Sequence, residues 1–159
     1  MTRQNQSIEI PVAPWWAIAA IIVVGLIGTQ SAIAQEEQAS CTAATLNGLY
    51  IFDASGFTGL PTGWTPKAVV ESLRLNGDGT LSAVATASVG GNLVGGELHN
   101  ATGTYTVNQN CTGTLEFNPQ GNPPGPHFDI FIAPGGTTFH MIQTDPSNVF
   151  AGESRRVSN

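Results

Sequence analysis

Charge is scarce in this chain: 5 Lys and Arg against 11 Asp and Glu in 159 residues, for a net charge of −6. No basic cluster occurs, and an acidic surface repels phosphate backbones, so nucleic acid is excluded as an expected partner. There is no apolar run of the roughly 20 residues that a transmembrane helix needs. Metal-ligand spacings such as H-x-x-x-H, H-x-H and C-x-x-C are missing, and His99, His127 and His140 are far apart in sequence. The G-x-S-x-G nucleophile motif is also missing. No cofactor is expected. With no catalytic signature, binding or interaction ranks above catalysis.

There are only two cysteines, Cys41 and Cys111. Neither has Lys, Arg or His within five positions, so neighbouring sequence offers nothing to stabilise a reactive thiolate. In an oxidising compartment two such cysteines are expected to pair, closing a loop of about 70 residues. The chain-entropy contribution of that loop is about 4 kcal/mol.

The N-terminus points to such a compartment. Residues 1–14 are polar with one basic side chain, Arg3, and residues 15–28 are apolar, beginning with Trp15 and Trp16. This length suits the core of a signal peptide, about 7–15 residues. Ala32 and Ala34 then supply an Ala-x-Ala cleavage site before Gln35. The expected organisation is a signal peptide over 1–34, an N-terminal segment tied by the disulfide over 35–45, and one β-barrel domain over 46–159, secreted or periplasmic. No membrane contact is expected once the segment is cleaved. Retention as an anchor is the alternative, and the two tryptophans would suit a membrane interface.

After Gln35 no helical apolar period survives. Short runs rich in Val, Ile, Thr, Tyr and Phe alternate with Gly, Pro and Asn clusters. Strands are predicted over 46–54, 67–75, 80–88, 98–107, 111–118, 128–133, 137–144 and 149–157, with a Gly/Pro-rich loop over 55–66. The turn Asn76-Gly77-Asp78-Gly79 is a strong hairpin signal, because these residues tolerate positive φ. Eight strands joined mostly by short turns predict an all-β fold, an eight-stranded antiparallel meander barrel. A two-sheet β-sandwich is the alternative.

Several stretches carry a resemblance. They are Cys41-Thr-Ala-Ala-Thr-Leu-Asn-Gly-Leu-Tyr50, Leu73-Arg-Leu-Asn-Gly-Asp-Gly-Thr80, and the run from Thr102 to Leu115. The ending, Met141-Ile-Gln-Thr-Asp145 with Gly152-Glu-Ser-Arg155, belongs with them. Together they resemble small exported bacterial proteins without an assigned function, related in architecture to eight-stranded barrels of the allene oxide cyclase and dirigent type. The resemblance rests on turn glycines and strand threonines. It implies a fold, and no catalytic residue carries over from it. It also implies a structural task for the disulfide, tying the N-terminal segment to the far side of the barrel.

Strand alternation nominates polar residues for a site. Glu71 shares a face with Val69, Leu73 and Leu75, so it is a candidate for burial and acid–base work. His140 and Asp129 lie on strands joined by a hairpin and could form a His–Asp pair. Phe57 and Trp64, in the predicted loop, and Tyr105 are candidate ligand contacts. Three functions follow as expectations: a barrel binding a small apolar or aromatic ligand or a surface partner, a cofactor-independent cyclase or isomerase acting on an unsaturated small molecule, and a structural protein with a filled core. No sequence feature marks an oligomeric state. The cleavage site yields one test: protein recovered from the exporting cell should have an intact mass that begins at Gln35, and a mass retaining Trp15 and Trp16 would refute cleavage.

Overall fold

The computed structural model describes residues 40–159. The signal segment and the cleavage site at Gln35 lie outside the described residues. The eight strands are β1 (Asn47–Leu60), β2 (Gly63–Asn76), β3 (Thr80–Val89), β4 (Asn92–Val107), β5 (Thr112–Phe117), β6 (His127–Ile132), β7 (Thr138–Gln143) and β8 (Asn148–Ser158). Each pairs antiparallel with the next, and β8 pairs back onto β1 from Thr58↔Asn148 to Leu49↔Ser158. The sheet is therefore a closed meander barrel and not a sandwich.

Closure makes strand alternation an inside–outside code. The inward set is apolar: Tyr50 and Phe52 on β1, Leu73 and Leu75 on β2, Leu115 and Phe117 on β5, Phe128 and Ile130 on β6, all buried. The outward set on β4 and β5 is largely threonine: Thr102, Thr104 and Thr106 opposite Thr114 and Glu116.

Two expectations about chain breaks are corrected. The span 55–66 is no loop: β1 and β2 run on through Phe57↔Pro66 and Gly59↔Trp64 to a tight turn at Pro61 and Thr62. Proline is tolerated at 66 because that residue's backbone faces away from β1; its carbonyl accepts a hydrogen bond from Gly90 N (2.9 Å), so its missing N–H costs no β1–β2 ladder bond. The fourth strand, predicted over 98–107, begins earlier, at Asn92, and runs through the Gly95-Gly96 pair. That pair forms a bulge inside β4, while Gly90-Gly91 makes the β3–β4 turn.

One end of the barrel is sealed. A 3₁₀ turn at Ala43–Leu46 lies across it and buries Leu46 completely. The Cys41–Cys111 disulfide ties this turn to the start of β5, with the two Cα atoms 5.0 Å apart. Tyr50 is the hub. Its hydroxyl donates to Gly136 O (2.7 Å) and accepts from Arg156 Nη2 (2.6 Å) and Nε (2.9 Å), while Arg156 Nη2 also donates to Thr45 O (2.7 Å). Burial pushes the Tyr50 hydroxyl's pKa up, against the opposing effect of the Arg156 hydrogen bond and charge. Gly136 has φ +64°, and a Cβ there would stand 2.2 Å from Thr45 O, so the close approach requires glycine. Tyr105 belongs to the same seal: its hydroxyl donates to Ala43 O (3.1 Å) and accepts from Gly77 N (2.9 Å). Above the seal, Tyr50 meets Phe139 edge-on at 5.2 Å, packed with Leu73, Ile130 and Met141.

Tyr50→Phe keeps this packing but removes the shared oxygen, leaving the Gly136 carbonyl and two Arg156 donors without it. Urea unfolding should show a loss of about 1–3 kcal/mol. An unchanged midpoint would mean that water replaces the hydroxyl and that the hub contributes nothing.

Candidate active site in the open half of the barrel

The other half of the barrel is open, for a reason visible in the inward residues. On β3 these are Ala83, Ala85 and Ala87, and on β4 they continue as Ala101 and Gly103. A wall of methyl groups leaves the barrel unfilled on that side. Facing it is a cluster of Phe52, Phe117, Phe128 and Phe150, with ring centroids 6.0–6.4 Å apart and mostly edge-on. Between the two walls lies a cavity of about 780 Å³. Its size is that of a site for one small molecule.

Glu71 stands in this cavity. It pairs with Phe52 on one side and Ala85 on the other, one level above the packed Leu73. The residue is only 5% exposed. Its carboxyl makes no hydrogen bond or ion pair with any of the described residues, and it lines the cavity. Burial alone pushes its pKa up to about 8, so at neutral pH it is mostly protonated.

His99 lies on the same wall, reached by continuing across the sheet from Glu71 through Ala85. The β4 bulge puts it there. Ala87 pairs with Val94 and Ala85 with His99, so β4 spends five residues where β3 spends two. Three extra residues, an odd number, reverse the side-chain parity, so Val94 and His99 both line the cavity. Gly95, Gly96 and Leu98 take the positive φ that this loop-out needs. Nδ1 of His99 is buried without a partner beside Gly95, where an added Cβ would come within 3.3 Å of it.

The mouth is polar and tied together. Lys67 donates from Nζ to Gln143 Oε1 (2.7 Å) and sits 4.1 Å over the Phe150 ring. Gln143 Nε2 donates to Asp145 Oδ2 (2.7 Å), and the other Asp145 oxygen meets His127 Nδ1 at 2.7 Å. His127 Nε2 then lies 3.1 Å from Glu116. Burial pushes the Asp145 carboxyl up, but the hydrogen bonds from Gln143 and His127 outweigh it, and its pKa ends below the usual range. The same bond to Asp145 raises His127. Burial lowers the Lys67 ammonium, partly opposed by Asp145.

The other sequence-nominated residues lie elsewhere. Asp129 and His140 both face outward and are not opposite each other: Asp129 pairs with Ile142, and His140 with Phe131. Counting back from the Pro134–Gly136 turn fixes this register, and His140 instead lies 3.7 Å from Glu153. Phe57 and Trp64 are 49% and 61% exposed on the outer face of the β1–β2 hairpin, away from the lumen. Tyr105 is in the closed-end seal. Among the described residues no group of three or more His, Cys, Asp and Glu could hold a metal ion. Sequence reasoning passed over His99, Lys67, Gln143 and Asp145. The alternating alanines 83, 85 and 87 were the available signal for an open wall opposite the aromatic residues.

No family model and no curated protein matches the chain. Among solved structures it is similar to a redesigned β-barrel, at 14% identity and a TM-score of 0.44, over 75% of this chain and 95% of the other.

Glu71 links stability to pH. The folded protein holds the proton up to about 8, whereas the unfolded carboxyl releases it near 4.5. The folded state therefore binds more protons across that window, and stability falls as pH rises through it. Glu71→Gln removes this slope. It should match wild type below about pH 4.5 and exceed it by up to roughly 5 kcal/mol above pH 8, the full shift at about 1.4 kcal/mol per unit, read from urea midpoints. Equal stabilities at both pH values would mean that the carboxyl is solvated in the folded state.

Proposed function

We propose that this is an exported barrel that binds a small, largely apolar molecule in its open half. The observation that carries this reading is the cavity itself: about 780 Å³ between an alanine wall and a phenylalanine wall, with an unpartnered carboxyl inside. A structural protein would gain from filling that volume with apolar side chains, since burying apolar surface adds stability. The closed end is filled in that way; the open end is not. The Cys41–Cys111 bond is compatible with an oxidising compartment, which supports a secreted or periplasmic location. The mouth residues Lys67, Gln143 and Asp145 hold one another by hydrogen bonds, which supports a preformed opening.

A second reading is favoured by the unpartnered Glu71 carboxyl on the wall that also carries His99. A protonated Glu71 and His99, on either side of Ala85, would act as acid and base on an unsaturated guest held between them, which would make the protein a cofactor-independent isomerase or cyclase. The resemblance to barrels of the allene oxide cyclase and dirigent type supports the same class. Binding comes first in either case.

The test uses N-phenyl-1-naphthylamine, whose fluorescence rises in apolar surroundings. The emission should increase on mixing with the folded protein. Ala85→Phe, which projects a ring into the lumen, should weaken binding at least about tenfold while the protein still unfolds cooperatively. Binding that is indifferent to Ala85→Phe would locate the dye on the outer apolar residues, such as Phe57 and Trp64, and defeat the lumen reading.

A further inference from the structure

The cavity's lining constrains the chemistry of its occupant. Apart from the mouth, the side walls are hydrocarbon: Phe52, Phe117, Phe128 and Phe150 on one side, Val69 and the alanines on the other. Polar side chains also line the cavity, namely Glu71, His99, Asn100, Thr102 and Asn118, and of these Glu71 and His99 pair with Ala85 on either side. Glu71 has no hydrogen-bond partner among the described residues, and Nδ1 of His99 is enclosed without one beside Gly95, which leaves Nε2 as the ring nitrogen a guest could meet. Glu71 and His99 flank Ala85 on adjacent strands, about 10 Å apart at Cα, two strand spacings. Ala85 has only a methyl group, so the space above it is open to a guest atom with a carboxyl on one side and an imidazole on the other.

A native fold satisfies most of its buried polar groups, and the Glu71 carboxyl, on a residue 5% exposed that lines the cavity, has no protein partner and can be met there by a guest. No opposite charge offsets Glu71. Lys67, the cation at the mouth, is occupied by Gln143 and Phe150 and acts electrostatically on Asp145, not on Glu71. A carboxyl that is buried and without a counter-charge disfavours an anionic guest. The hydrocarbon walls disfavour any ion, because burying an unpaired charge is costly. A neutral oxygen fits both groups. A hydroxyl can accept from one and donate to the other, and a carbonyl can accept from the carboxyl proton.

We infer that the cavity selects an uncharged, mainly apolar molecule carrying one hydroxyl or carbonyl oxygen, held over Ala85 between Glu71 and His99. This rests on the lumen-binding reading and adds the guest's polarity and orientation: the oxygen goes in first, to the level of Glu71, and the hydrocarbon body lies against the phenylalanines. The selecting residue is Glu71, and the β4 bulge that carries His99 completes the pair.

The test uses four molecules of one shape at neutral pH: naphthalene, 2-naphthol, 2-naphthoate and 2-naphthylmethylammonium, with affinities from calorimetry. Wild type should bind 2-naphthol about tenfold more tightly than naphthalene, and both ions more weakly than naphthol. Glu71→Leu should bring 2-naphthol down to the affinity of naphthalene, which itself still binds. Glu71→Gln, which keeps a neutral hydrogen-bonding group, should retain most of the preference. Equal binding of naphthol and naphthalene by wild type would overturn the inference and leave the lumen reading standing, as would tightest binding of the ammonium ion. A preference that survives Glu71→Leu would also overturn it. If none of the four binds, the lumen reading and the inference fail together.

Discussion

The pairing of β8 with β1 is the constraint on which the rest depends. Once eight strands close, the width of the interior is set by strand number and tilt, and side chains alone decide whether it is filled. At the level of Tyr50, Leu73, Ile130 and Phe139 the inward residues are large, and all are essentially inaccessible. At the level of Ala85 and Ala101 one wall shrinks to methyl groups while the barrel keeps its width. The cavity is the direct result of that change in side-chain size.

Sealing one end frees the other from a structural role. The 3₁₀ turn, the disulfide and the Arg156–Tyr50–Gly136 hydrogen bonds converge on the closed end, where Leu46 and the inner Leu and Ile residues are packed dry. This half supplies the buried apolar area that stabilises the chain. The open half can then carry unfavourable features: an unfilled volume, an unpartnered carboxyl, and a bulge with Leu98 at φ +48°. Strain and burial costs of this kind are characteristic of functional sites.

Two carboxyl groups within one cavity show how environment sets chemistry. Asp145, at the mouth, accepts hydrogen bonds from Gln143 and from both the backbone and the ring of His127, and is held ionised. Glu71, deeper in, accepts none and is pushed to about 8. The difference comes from available donors and not from residue type. It gives the mouth two opposite charges, Lys67 and Asp145, bridged by Gln143, and gives the interior a neutral hydrogen-bonding group.

Much of this fold was legible in the sequence. Alternation along 67–75 put Glu71 on the face of Val69, Leu73 and Leu75, and closure makes that face the interior. Alternation in β5 likewise turned Glu116 outward. These are local properties, because a strand's faces depend only on residue parity. The Gly/Pro content of 55–66 misled, since a proline's fitness for a strand depends on which neighbour its backbone faces, and that is settled by pairing. His99 was hidden for a related reason. Its parity relative to Val94 is reversed by three looped-out residues, and a bulge is defined only against its partner strand β3. Asp129 and His140 were separated by hairpin register, which the Pro134–Gly136 turn sets. The sequence by itself determined strand number and which residues share a strand face, while closure decided which face turns inward. Only the tertiary structure decided which inward residues meet across the lumen, because those contacts join distant strands through closure and register.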